Sequence, residues 1–328
     1  MIKQGFTFSV APMMDWTDRH CRVFHRMLSV RALLYSEMVV ADAVIHGNRD
    51  YLLGFHAREQ PVALQIGGCD PAKLAQASRI GADYGYMEIN LNVGCPSDRV
   101  QAGRFGASLM AEPELVAECF AAMQGAVNIP VTIKCRIGID EQEPREILPE
   151  FLKTVSAAGC ENFIVHARKA WLKGLSPKEN RTIPPLDYTL VREMKARFAH
   201  LKLTLNGGLS TLEQALAEIG DLDGVMLGRA AYHNPWILSR VDEVFYGASP
   251  NLITRSEVVK ELIAYAQSVE ETDPTVKALT RHIMGLFHGE KGARLWRRSL
   301  SEADSSLTPS ARIETAFKAL VRAKEKAA

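Results

Sequence analysis

The chain has 328 residues, of which 47% are hydrophobic and 23% charged, the make-up of a globular protein long enough to build a core without disulfides or a structural metal. Its 39 Lys and Arg against 38 Asp and Glu leave a formal charge of +1, so a surface for a polyanion has to be local. Six cysteines with no C-x-x-C pair and no zinc-like Cys/His spacing argue against a disulfide scaffold and a metal module and for a reducing cytoplasm. No apolar run reaches the roughly 18 residues of a membrane span, so no membrane association is expected.

Short β-branched runs alternate with helical patterns from the start of the chain. Strands are predicted at Phe6–Ala11, Ala32–Ser36, Val62–Ile66, Tyr86–Asn90, Val131–Cys135, Asn162–His166, Lys202–Asn206 and Gly224–Leu227. Several are apolar at consecutive positions, as suits strands buried on both faces. Helices are predicted between them at Pro71–Ile80, Pro113–Gln124, Ile147–Ala158 and Thr211–Ile219, the last with Ser210 as its N-cap. Eight such units predict an α/β fold, a (β/α)8 TIM barrel over residues 1–246. A doubly wound sheet is the alternative, but no G-x-G-x-x-G follows the first strand. Gln65, Asn90, Asn92, Lys134, His166, Asn206 and Arg229 all fall at or just past strand ends, where barrel active sites are built. After Gly247 the strand pattern stops. Helices over 255–272, 275–288, 290–301 and 308–327, broken at Asp273-Pro274, Gly289 and Thr308-Pro309, predict a C-terminal all-α helical domain over 247–328.

Four groups of residues stand out chemically. Asn206-Gly207-Gly208 after the seventh strand and Gly228-Arg229 after the eighth suit a phosphate, because barrel loops at those two places often bind one through backbone N–H groups. Lys134 lies in an apolar strand and needs either a structural partner, such as Glu88 on the neighbouring strand, or an anionic ligand such as a reduced flavin. His166 is either a core histidine or a ligand contact, and Gln65 could bond a planar heterocycle. Cys95, flanked by Gly94 and Pro96, lies in a loop and is a candidate acid or nucleophile; the other cysteines read as buried hydrophobes. Between Lys277 and Arg298 six basic residues face only Glu290, with His282, His288 and Trp296 among them, which points to phosphate-backbone contacts. The polar loop Arg168–Asp187, with three prolines, is too long to be a plain connector.

The segments Ala11-Pro-Met-Met-Asp-Trp-Thr-Asp, Asn92-Val-Gly-Cys-Pro-Ser, Lys134-Cys-Arg-Ile-Gly, Asn206-Gly-Gly and Gly228-Arg229 together resemble the tRNA-dihydrouridine synthases. The Arg168–Tyr188 loop and GLFHGEKGARLWRRSLS resemble the A-type subgroup. The resemblance implies FMN as cofactor, NADPH as reductant and uridines 20 and 20a of the tRNA D-loop as substrate. It implies that Pro12, Met13 and Met14 line the flavin and that Gln65, Lys134 and His166 contact its ring or ribityl chain. Asn206, Gly207, Gly208, Gly228 and Arg229 hold its phosphate, and Cys95 is the general acid. Asn92 is expected on the uracil edge, and Lys178, Glu179, Arg181, Lys291, Arg294, Arg297 and Arg298 on the tRNA near its elbow. A cytoplasmic monomer without a metal is expected. The rivals are another FMN barrel oxidoreductase acting on a small molecule, and a non-catalytic RNA-binding barrel.

Overall fold

The computed structural model describes residues 5–326. Eight parallel strands close into a barrel in chain order: β1 Thr7–Val10, β2 Leu33–Val40, β3 Val62–Gly67, β4 Glu88–Val93, β5 Val131–Arg136, β6 Asn162–His166, β7 Lys202–Asn206 and β8 Gly224–Leu227. Pairing of β1 with β8, Thr7 against Gly224 through Val10 against Leu227, completes the ring. All eight predicted strands are present. β2 runs on to Val40, and β4 starts at Glu88 and ends at Val93, later than predicted. Its polar residues caused the displacement: Asn90 and Asn92 alternate with Ile89, Leu91 and Val93, and they are buried inside the barrel.

The interior holds an apolar cluster of Tyr35, Ala63, Ile164 and Met226, from β2, β3, β6 and β8, with Ala11 just past the end of β1. Helices between the strands pack against them, Pro71–Asp83 on β3 and β4, Pro113–Ala126 on β5 and Tyr188–Arg197 on β7. Pro71–Asp83 shows why these residues form one: Asp70 accepts from the Lys73 N–H at 3.0 Å, Pro71 occupies the first turn, and Leu74, Ala77, Ser78 and Gly81 are buried. Gly81 permits close packing, since a Cβ there would lie 2.6 Å from Leu64 Cδ2. At the helix Leu212–Glu218 the N-cap is Thr211 and not Ser210: Thr211 accepts from the Gln214 N–H, while Ser210 donates to Gln214 Oε1.

Beyond Gly247 every described element is helical, including Arg255–Val269, Leu279–His282, Ala293–Ser301 and Pro309–Glu325. Residue 327 of the last predicted helix lies outside the described residues. The chain divides into two compact units. One comprises the chain up to Met14 with Leu33–Gly228, and the other Asp15–Ala32 with the chain from Arg229 onward. The helix Arg19–Leu28, absent from the predicted elements although within the range expected for the barrel, belongs to the second because its polar groups are satisfied there. Asp18 caps it and accepts from His282 Nε2 at 2.8 Å. The buried His20 ring bonds Tyr265 Oη and Thr275 Oγ1, both at 2.8 Å, and Ser29 donates to Asp242 at 2.5 Å.

Candidate active site

Inside the barrel a ladder of polar side chains climbs β3, β4 and β5. Asn92 Nδ2 donates to Gln65 Oε1 at 2.8 Å, Gln65 Nε2 to Asn90 Oδ1 at 2.7 Å, and Asn90 Nδ2 to Thr132 Oγ1 at 2.8 Å. Thr132 and Tyr35 both donate to Glu88 Oε1, at 2.7 and 2.5 Å. Glu88 is therefore not the partner of Lys134, which stands opposite Asn92, four residues beyond Glu88 on β4.

Lys134 and His166 face the mouth, and neither side chain makes a hydrogen bond or ion pair with a described residue. Burial, reinforced by Arg136, pushes the Lys134 ammonium down to about 8. The same causes, burial first and then Arg136, Lys134, Arg168 and Arg181, hold His166 well below its ordinary value, so its imidazole is neutral. A chain with almost no net charge thus concentrates four cations around one imidazole. An uncompensated half-buried Lys calls for an anion.

Beside them, Gly207 and Gly208 take φ values of +109° and +69°. Both are required: a Cβ on Gly207 would meet the His166 ring at 2.6 Å, and one on Gly208 would meet Leu186 at 2.4 Å. Their N–H groups donate to no described residue. Asn206 is fixed by a 2.8 Å bond from its Nδ2 to the Met226 carbonyl, and Tyr188 Oη donates to the Gly207 carbonyl at 2.5 Å. Gly228 follows β8 with Met13 Sδ near its open face, and Arg229 opens the next helix. Pro12 and Met13 are half-buried, and Met14 is exposed. A free cation, free N–H groups on positive-φ glycines and an adjoining apolar segment fit a flavin mononucleotide.

Cys95 lies on the loop after β4, half-buried, with Sγ 3.5 Å from Ser97 Oγ. Asn92 Oδ1 accepts from the N–H of Gly94 at 3.1 Å and of Cys95 at 3.0 Å, so the ladder reaches the loop backbone. Four of the other cysteines are buried away from the mouth, while Cys69, half-buried after β3, lies 3.7 Å from the Gly103 carbonyl. Burial pushes the thiols of Cys119 and Cys135 up to about 12 and that of Cys160 higher still, and Cys21 is sealed inside a helix. All six are free.

Sequence reasoning gave no role to Arg136. It is 4% exposed; its Nε donates to the Gly94 carbonyl and its Nη1 to the carbonyls of Lys169 and Asn180, all at 3.0 Å. Arg136 thereby joins the Cys95 loop to the 168–187 loop. The signal available was a second cation two residues after Lys134, on the same face of β5. Asn180, fully buried, closes the long loop with bonds to both the N–H and the carbonyl of Trp171. Gln101 adds a second tie, donating to the carbonyls of Pro96 and Leu172. Lys178 and Arg181 are exposed on this loop. Glu179 is engaged otherwise: its carboxylate accepts from the N–H and hydroxyl of Ser176.

In the second unit Lys291, Arg294, Arg297 and Arg298 are all exposed, three of them on the helix Ala293–Ser301. Arg298 has only a 3.9 Å contact with Glu302. Two residues counted with this patch are not on it. Trp296 is fully buried, donating to the Ile283 carbonyl and packing on Phe287, because it occupies the apolar side of the same helix. His282 is buried against Asp18 and Tyr232.

The fold and this mouth define a barrel built to hold an anionic cofactor beside a loop thiol. The model of the family "Dihydrouridine synthase (Dus)" matches residues 9–322. The chain belongs to the dihydrouridine synthase family. It is 55% identical to the tRNA-dihydrouridine(20/20a) synthase of Shewanella oneidensis over 90% of this chain and 88% of that one. It is 52% identical to that of Vibrio cholerae over 96% and 95%, and 55% identical to that of Escherichia coli K12 over 90% and 86%. Among solved structures, morphinone reductase aligns at a TM-score of 0.51 with 14% identity, covering 77% of this chain and 88% of that one. A 2-naphthoyl-CoA reductase complex aligns at 0.55 with 12% identity, covering 74% and 50%. These two share the fold alone. No described helix is long and apolar enough to cross a membrane.

Proposed function

We propose that this chain is a flavin-dependent oxidoreductase that reduces the C5=C6 bond of uridines 20 and 20a in the tRNA D-loop, with FMN as cofactor and NADPH as reductant. The observation that carries this reading is the mouth of the barrel, where Lys134, His166 and the N–H groups of Gly207 and Gly208 lack partners beside the Cys95 loop. The position of the uridines and the choice of NADPH rest on the relatives' names and on the sequence resemblance.

Asn206, Gly207, Gly208, Gly228 and Arg229 would hold the flavin phosphate. Lys134, Gln65 and His166 would meet the ring and ribityl chain, and Pro12, Met13 and Met14 would line it. Bound reduced flavin supplies the hydride for uracil C6. Negative charge then develops toward uracil C5 and O4, and the Cys95 thiol supplies the proton at C5. Asn92 Oδ1 is taken by the loop N–H groups and one Nδ2 hydrogen by Gln65, which leaves a single amide hydrogen for the uracil edge.

The uridine has to leave its stack to enter the barrel, at a cost of about a few kcal/mol. Lys291, Arg294, Arg297 and Arg298, with Lys178 and Arg181 on the long loop, offset this by binding the tRNA backbone. Glu179, exposed on the same loop, shapes it through Ser176 and joins these residues at the tRNA. The enzyme acts as a cytoplasmic monomer.

The test is single-turnover reaction of photoreduced protein with unmodified tRNA. Wild type reoxidises its flavin and forms dihydrouridine. Reduced flavin left untouched by tRNA overturns the substrate assignment and directs attention to small-molecule acceptors.

A further inference from the structure

The polar ladder has one direction. At its upper end the donors are the backbone N–H groups of Gly94 and Cys95, which cannot be reversed, so Asn92 must turn its oxygen toward them and its nitrogen toward Gln65. That choice sets Gln65, which sets Asn90, which sets Thr132. At the lower end the Thr132 hydroxyl delivers its hydrogen to Glu88 Oε1, an acceptor. The two ends agree, and every donor in between points toward Glu88. Gln65, Asn90, Asn92 and Thr132 are all buried, so no solvent can substitute for a missing partner.

We infer that Glu88 is a positioning residue for the Cys95 loop: as an obligatory acceptor at the foot of β4, it fixes the orientation of the Thr132–Asn90–Gln65–Asn92 chain and so keeps Asn92 Oδ1 turned to the loop N–H groups. Without that acceptor the Thr132 hydrogen has no partner unless it is donated upward to Asn90, which requires Asn90, Gln65 and Asn92 to reverse in turn and sets the Asn92 amide nitrogen against the two loop N–H groups. The two ends of the ladder then conflict, and the anchor of the Cys95 loop is weakened although no residue at the mouth has changed. What matters is acceptor capacity, not charge. Burial raises the Glu88 carboxyl while Tyr35 and Thr132 lower it, but a proton on Oε2 leaves Oε1 accepting.

The consequence for turnover rests on the proposed reaction; the orientation of the loop does not. The experiment therefore reads both, in full-length flavin-loaded protein: deuterium uptake of a peptide spanning residues 91–97, and kcat and KM for unmodified tRNA. Glu88→Leu and Thr132→Val remove the acceptor or the link. Each is expected to speed exchange of that peptide by tenfold or more and to lower kcat at least tenfold, with KM for tRNA and flavin content within twofold of wild type. Glu88→Gln and Thr132→Ser keep an acceptor and a hydroxyl and are expected to restore both readings. Exchange at 91–97 unaltered in Thr132→Val, or altered as much in Thr132→Ser as in Thr132→Val, overturns the inference. Wild type that makes no dihydrouridine, with the exchange pattern as expected, overturns the reaction and not the ladder.

Discussion

Arg136 donates to the backbone carbonyl of Asn180 at 3.0 Å, tying the end of β5 to the middle of a loop 44 residues further along the chain. The same guanidinium holds the Gly94 carbonyl, one residue before Cys95. Replacing it by Ala leaves three carbonyls without their donor and frees both loops. Arg136→Ala is expected to lose about 2–4 kcal/mol of stability, since each bond from a charged donor is worth about 1.5–3 kcal/mol. Its kcat should fall by more than the loss of folded protein explains. Denaturant unfolding alongside turnover per folded molecule checks this; Arg136→Lys, a single-point donor, should recover only part.

Cys95 is the thiol on the loop that Asn92 anchors. Cys95→Ala is expected to bind flavin and tRNA as wild type does and to slow product formation by about 10²–10⁴-fold, the range for loss of a general acid. Rapid mixing of reduced enzyme with tRNA measures it. Unchanged flavin reoxidation in the mutant would remove Cys95 from the reaction.

Lys134 makes a prediction in the opposite direction for stability. Its folded value, about 8, lies below the ordinary 10.5, so between those pH values the unfolded chain binds more protons and stability rises with pH. Below about pH 8 the flavin-free protein bears the whole cost of a buried charge. Lys134→Met is therefore expected to melt higher than wild type at pH 7 when both are flavin-free, with the gap closing toward pH 10. The mutant should also bind FMN at least tenfold more weakly. Thermal melts at pH 7 and 9.5, with and without FMN, decide it; a destabilised flavin-free mutant at pH 7 contradicts the reading.

The four exposed cations of the second unit should act through charge alone. Changing Lys291, Arg294, Arg297 and Arg298 together to Gln is expected to weaken tRNA binding and flatten its dependence on log salt by about 3, at somewhat under one per phosphate contact. Folding should be unaffected. Trp296→Ala, by contrast, is expected to cost about 3–5 kcal/mol of stability by opening the core beneath that helix. Titration of tRNA across a salt series, beside melts of both variants, separates the two effects.

The strands were legible because parallel barrel strands are buried on both faces and read as plain apolar runs. Where an interior face is polar, as at Asn90 and Asn92, the same rule placed the end of β4 too early. The glycines and cations of the mouth were legible because they fall at strand ends, and Glu88 could be ranked as a partner for Lys134 only while the register was unknown. Arg136 looked like any second cation, since its three acceptors are backbone carbonyls that no side-chain pattern announces. Trp296 sits between basic residues in sequence, yet helical geometry turns it inward, away from the surface they share. The helix Arg19–Leu28 has the right place in the chain for the barrel, and only contacts far along the sequence assign it elsewhere.

That assignment bears on how the protein is made. His20 and Asp18 are synthesised near the start, whereas Tyr265, Thr275 and His282, which satisfy them, come after the whole barrel. As the chain emerges from the ribosome, this helix waits with its apolar side uncovered until translation is nearly finished. A chain stopped at Gly228 therefore ends with a complete set of eight strands and an exposed helix, a species suited to chaperone capture or aggregation. For the same reason the second unit cannot be prepared by expressing the residues after Gly228 alone.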